Sequence, residues 1–227
     1  MKEVKKSPGI LILIPAYNAA GYLPQLTERI QKALPGQDIL IINDGSTDNT
    51  DDILESMNIL TMKNEPNRGK GYTLNRGFNY AIKNNYDYVI TIDADLQHLP
   101  EELPSFLSSE TEGDIYIGTR KIDLRIMPFA RWLTNNLTSL IISVFSGRRI
   151  KDSQSGYRMF AVDILRAARV RTVNYDFESE ILFQAGLLGA RVAEITVTTV
   201  YEESTSYINP LIDTGRFIKL IWKRIMW

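Results

Sequence analysis

The chain is predicted to be an α/β protein with a mostly parallel sheet flanked by helices. Three observations predict this: short apolar runs of strand length, amphipathic stretches of helix length between them, and polar turns after the strands. With 227 residues, 44% of them hydrophobic, the chain can bury one substantial core. We read residues 1–207 as one domain and 208–227 as an appended amphipathic helix.

Ile10 to Ile14, Ile39 to Ile42, Ile59 to Met62, Tyr88 to Ile92 and Ile115 to Ile117 read as buried strands. Helices are expected over Tyr22 to Ala33, Thr47 to Met57, Gly71 to Lys83 and Glu101 to Ser108, with Ser46 or Thr47 capping the second. This alternation places four βα units before an acidic cluster at residues 93–95. Beyond it come an apolar, basic segment from Ile126 to Phe145, a polar loop around Arg148 to Gly156, a helix near Asp176 to Leu188 and a strand over Arg191 to Val200.

Composition removes several function classes. A net charge of -1 argues against nucleic acid, and the absence of cysteine rules out disulfides and thiolate metal sites. The single histidine, His98, excludes a histidine-cluster metal site. No signal peptide is visible, and the apolar stretch Leu137 to Phe145 falls far below the roughly 20 residues a membrane helix needs. The expected location is cytoplasmic.

The most informative stretch is Tyr88 to His98, a strand running into Asp93-Ala94-Asp95-Leu96-Gln97. In open α/β sheets ligands bind beyond the carboxyl ends of the strands, which would put Asp93 and Asp95 beside a substrate. Hard cations such as Mg2+ or Mn2+ take oxygen ligands, usually one or two carboxylates with substrate phosphates, and Gln97 could add a carbonyl or orient a water. The same residues could instead end a strand and cap a helix. Gly69-Lys70-Gly71 lacks Walker A spacing, and no Gly-x-Gly-x-x-Gly follows the first strand, which counts against an NTPase or a dehydrogenase.

Five ordered motifs carry a resemblance: Ile14-Pro15-Ala16-Tyr17-Asn18, Asn43-Asp44-Gly45-Ser46-Thr47-Asp48, Asn67-Arg68-Gly69-Lys70-Gly71, Asp93-Ala94-Asp95-Leu96-Gln97 and Asp152-Ser153-Gln154-Ser155-Gly156-Tyr157-Arg158. Together they resemble glycosyltransferase family 2, in particular its dolichol-phosphate mannose synthase-like, polyprenyl-phosphate branch, across about Ile10 to Ile218. The resemblance implies a GT-A fold, a nucleotide-sugar donor such as GDP-mannose or UDP-glucose, and Mg2+ or Mn2+ held by Asp93, Asp95 and Gln97. It further implies that Pro15, Ala16, Tyr17, Asn18 and Asp44 contact the nucleoside, while Gly69, Lys70 and Ala94 lie beside the donor. Asn43 stands where the family usually has aspartate, which leaves the identity of the base open.

On the acceptor side the resemblance implies that Arg120, Arg131, Asn135 and Arg158 grip a lipid phosphate. Arginine suits this role because its planar fork binds phosphate oxygens in pairs. Arg131 could instead be a surface residue, and Arg158 could serve only to pair with Asp152. If the acceptor were a saccharide or other hydroxyl, a base would be required, and Asp176, Glu178 and Glu180 are the candidates; they could equally be a helix N-terminus favoured by negative charge. The implied activity is a metal-dependent inverting hexosyl transfer to polyprenyl phosphate. Ile126 to Phe145 and Ile208 to Trp227 mix apolar and basic residues and could lie on an anionic membrane face, or pack against the sheet or a partner. Many resembled synthases carry later transmembrane helices, and the sequence leaves open whether this chain is a natural full length or is truncated before them. Tyr201-Glu202-Glu203-Ser204 departs from the more basic loop that usually closes over the donor.

Overall fold

A computed structural model describes residues 8–109, 112–120, 139–140, 143–144, 147, 149–168, 170, 177–198 and 200. Along the chain run β1 (Ile10–Ala16), α1 (Leu23–Ala33), β2 (Asp38–Asn43), α2 (Thr50–Ser56), β3 (Leu60–Lys63), α3 (Lys70–Lys83) and β4 (Tyr88–Thr91). A 3-10 turn (Pro100–Glu102) and α4 (Leu103–Leu107) follow, then β5 (Ile115–Arg120), β6 (Arg158–Ala161), α5 (Val162–Ala167), α6 (Phe177–Leu187) and β7 (Val192–Val197). Their strands form one sheet in the order β3-β2-β1-β4-β6-β5-β7. Only β6 runs antiparallel to its neighbours, β4 and β5.

Alternation along β1 explains the two-layer core. Ile10, Ile12 and Ile14 face one side with Leu23, Leu26 and Ile30 of α1 and Phe106 of α4. Leu11 and Leu13 face the other side with Leu74, Phe78 and Ala81 of α3 and Phe177 and Ile181 of α6. A parallel sheet covered on both faces therefore needs unbroken apolar strands, as the sequence has. Each fully buried Leu or Ile contributes about 1.5–3 kcal/mol relative to exposure. α1 buries Leu23, Leu26, Thr27 and Ile30, the spacing of one helical stripe. α3 lies so close to β1 that a Cβ at Gly77 would run into Leu13.

Several expectations need correction. Three complete βα units and a fourth strand precede the acidic cluster, not four units, because α4 comes after it. α2 starts at Thr50 rather than Thr47: Ser46 is drawn back into its own turn by Asn43, and Asp48 Oδ1 instead accepts the Thr50 N–H at 3.0 Å. β6 and α5 lay in a stretch assigned no element, since a four-residue strand opening on arginine carries little periodic signal. β6 matters most for the site. Being antiparallel, it starts where its neighbours β4 and β5 respectively end, and so delivers residues 152–157 to the carboxyl edge of the sheet.

Candidate active site

At that edge Asp93 and Asp95 follow β4. Asp95 Oδ1 accepts the Gln97 N–H at 3.1 Å, and Leu96 takes a left-handed turn (φ 58°) that folds the cluster back on itself. The Thr91 hydroxyl donates to the Gly156 carbonyl at 2.8 Å, clamping the loop before β6 against the cluster. Only glycine fits at 156, because a Cβ there would collide with the Asp93 carboxylate.

Lys70, the first residue of α3, reaches Asp93 Oδ1 at 2.7 Å and Glu178 Oε1 at 3.1 Å. Burial alone would depress the Lys70 ammonium, but Asp93 and Glu178 outweigh it and raise its pKa. Burial pushes Asp93 up, and Lys70 reverses that and holds it below the ordinary carboxylate value. Asp95 is raised, first by burial and then by the neighbouring Asp93 charge. His98, buried beneath the cluster against Tyr157 (ring centroids 5.1 Å apart), is pushed down to about 4, chiefly by burial, and is neutral near pH 7.

The turns after β1 and β2 and the loop before α3 are knitted together mostly by short polar contacts. Asp44 Oδ1 accepts the Arg68 N–H at 2.9 Å and the Asn64 amide at 2.8 Å, and Oδ2 accepts the Gly69 N–H at 2.8 Å. Asp44 is therefore the anchor of the loop that carries Lys70. Asn43 is buried and does not face an open pocket: its Oδ1 accepts from Ser46 and its amide donates to Asp51 at 2.5 Å. Asn18 ties the first turn to the second through Ser46 and Thr47. Ala16 and Ala94 are core residues, Pro15 is half-buried, and Tyr17 is exposed at the rim.

At the end of β5, Arg120 forms a bidentate pair with buried Asp152, Nε at 2.6 Å and Nη2 at 2.8 Å. Arg158 corrects an expectation. It is only 1% exposed, and its guanidinium donates to the carbonyls of Ser155 (2.7 Å), Ser153 (2.7 Å) and Glu178 (2.9 Å). It braces the loop before β6 against α6 rather than meeting a lipid phosphate, and Asp152 is taken by Arg120 instead. Glu178 stands at the site and Glu180 is buried. Arg131, Asn135 and Asp176 lie outside the described residues, as do residues 201–227.

The model of Glycosyl transferase family 2 matches residues 11–169. The chain belongs to that family. This glycosyltransferase is 30% identical over 205 residues to undecaprenyl-phosphate mannosyltransferase of Micrococcus luteus, covering 86% of this chain and 84% of the relative. It is 27% identical to polyprenol monophosphomannose synthase of Mycolicibacterium smegmatis, covering 88% and 80%. Among solved structures, glucosyl-3-phosphoglycerate synthase of Mycobacterium tuberculosis, in complex with Mn2+, uridine diphosphate and glucosyl-3-phosphoglycerate, superposes with a TM-score of 0.70. That match covers 93% of this chain and 76% of the other at 16% identity, and bears on the GT-A fold alone.

Among the described residues of the glycosyltransferase, no group of three or more His, Cys, Asp or Glu is arranged to hold a metal ion. The donor set nevertheless fits a hard divalent cation that keeps waters and substrate phosphates. Asp93 and Asp95 are separated by one residue just beyond β4 with Gln97 beside them, and all their side-chain metal donors are oxygen. The polar scaffold of Asn64, Thr73 and Arg76 behind the Lys70 loop was not foreseen. Asn64 donates to Asp44 and Thr73 and accepts from Arg76 at 2.7 Å. The only sequence signal was its place just after β3.

Proposed function

We propose that this glycosyltransferase moves a hexose from a nucleoside-diphosphate sugar to polyprenyl phosphate in one inverting, metal-dependent step. The observation that carries the acceptor class is the state of Glu178. Its carboxylate is ion-paired with Lys70, which suits it poorly to abstract a proton from a sugar hydroxyl. A phosphate monoester needs no such base, because its second pKa near 6 leaves it mostly deprotonated at neutral pH. The likeness to undecaprenyl-phosphate mannosyltransferase and polyprenol monophosphomannose synthase supports the same choice.

In this reading Asp93, Asp95 and Gln97 hold Mg2+ or Mn2+, which when bound would neutralise charge on the leaving diphosphate. Lys70, positioned by Asp44, lies on the donor side with Tyr17 at the rim. Arg131 and Asn135 would orient the acceptor, together with Arg120, whose guanidinium Asp152 fixes. An acceptor phosphate oxygen attacks the anomeric carbon, and the carbon–oxygen bond to the diphosphate breaks with its electron pair leaving on the diphosphate. No described helix is long and apolar enough to cross a membrane. Leu140 and Val144, one helical turn apart, are 61% and 69% exposed, which supports peripheral membrane contact of the segment that contains them.

Release of nucleoside diphosphate, measured with Mn2+ or Mg2+, GDP- and UDP-sugars and short polyprenyl phosphate, tests the proposal. Turnover that needs the lipid phosphate and is lost in Asp95→Ala is the expected result. Turnover with saccharide acceptors alone would overturn the acceptor assignment.

A further inference from the structure

Lys70 joins two elements across the site. Its side chain is 20% exposed, and those of Asp93 and Glu178 are 28% and 13% exposed. Two carboxylates gathered in so shielded a place repel each other unless a cation lies between them. The Lys70 ammonium meets that need, resting on Asp93 Oδ1 at 2.7 Å and Glu178 Oε1 at 3.1 Å. Its position is not left to a flexible stem alone. Gly69, the residue before it, is pinned by Asp44, and the Glu178 carbonyl is pinned by Arg158. The ammonium thus rests on the same carboxylate that a divalent cation would use.

We propose that Lys70 is a resident counter-cation: it holds Asp93 and Glu178 together in the metal-free protein and competes with the divalent cation for Asp93. The inference rests on the reading of Asp93 and Asp95 as metal ligands. Metal entry then requires the ammonium to withdraw from Asp93 while it stays paired with Glu178, and a donor diphosphate beside it adds a further anion. Donor loading and metal binding are coupled through this one side chain.

Mn2+ binding to the purified chain without nucleotide, followed by the electron paramagnetic resonance signal of free Mn2+, tests this in wild type, Lys70→Met, Lys70→Arg and Asp95→Ala. Lys70→Met is expected to bind Mn2+ at least about tenfold more tightly than wild type, with Lys70→Arg close to wild type. Metal-free Lys70→Met should also melt below wild type, with Mn2+ closing the gap. Unchanged or weaker Mn2+ binding in Lys70→Met, with Asp95→Ala still abolishing it, overturns the inference and leaves the metal site standing. Mn2+ binding that is absent in wild type and Lys70→Met alike overturns the inference; the same titration with nucleoside diphosphate present then decides whether the metal site stands, binding lost in Asp95→Ala keeping it and binding indifferent to Asp95→Ala removing it. Should Lys70→Met fail to fold, Lys70→Gln carries the same comparison, since it too lacks the charge.

Discussion

Asp44 Oδ2 accepts the Gly69 N–H at 2.8 Å, so the carboxylate just beyond β2 is the peg from which the Lys70 loop hangs. The same carboxylate also takes the Arg68 N–H and the Asn64 amide. Asp44→Ala leaves these donors without their acceptor and is expected to cost about 1–3 kcal/mol of stability. Donor affinity should fall with it. Calorimetric melting and titration with nucleoside diphosphate would check both, and wild-type values for either would show that Asp44 does not organise the loop.

Gly156 tests how tightly the cluster is confined. A Cβ at this position meets the Asp93 carboxylate, and Asp93 must move for Gly156→Ala to fold. Mn2+ affinity and turnover are expected to drop by about tenfold to a hundredfold, since small displacements of a reacting group are costly. Melting temperature should change much less than either.

Stability at acid pH should depend on Asp152. Burial opposes its ionisation, but Arg120 overcomes this and holds the carboxyl below its ordinary 3.8. A carboxylate with a lowered folded pKa stabilises the protein above the unfolded value and loses that contribution as pH falls through the folded one. Denaturant midpoints are therefore expected to decline below about pH 4, and Asp152→Asn should remove part of that decline. At pH 7 the same substitution removes the Asp152 charge from the bidentate pair with Arg120 and should cost about 1–3 kcal/mol.

Leu140 and Val144 are exposed, which lets membrane contact be tested with little effect on the core. Leu140→Asp with Val144→Asp should leave melting within about 0.5 kcal/mol of wild type. Flotation with anionic vesicles should fall several-fold. Equal flotation of both proteins would assign these residues to another role.

Much of the fold was legible because the central parallel strands β1, β2 and β4 are buried on both faces and so are largely apolar, as Ile10 to Ile14 is. The acidic cluster was legible because Asp93 and Asp95 end such a strand. Helix boundaries slipped where side chains chose local partners: Ser46 turns toward Asn43, and Asp48 serves the first turn of α2. β6 escaped notice because it is four residues long and opens on Arg158, whose guanidinium is buried against the carbonyls of Ser153, Ser155 and the more distant Glu178, and no local pattern announces a buried arginine of that kind.

The sequence by itself determined the α/β class, the family through five ordered motifs, and the carboxylate pair at a strand end. These depend on short-range periodicity and on residue types adjacent in the chain. Tertiary structure decided what each charged group faces: Asp44 toward the Lys70 loop, Arg158 into the brace behind the site, and Lys70 onto Asp93 and Glu178. Such pairings join residues as far as 108 positions apart, as 178 − 70 shows, and are set by strand order and by the reversed direction of β6. Only packing brings those charges within reach of one another, so their roles follow from the folded site.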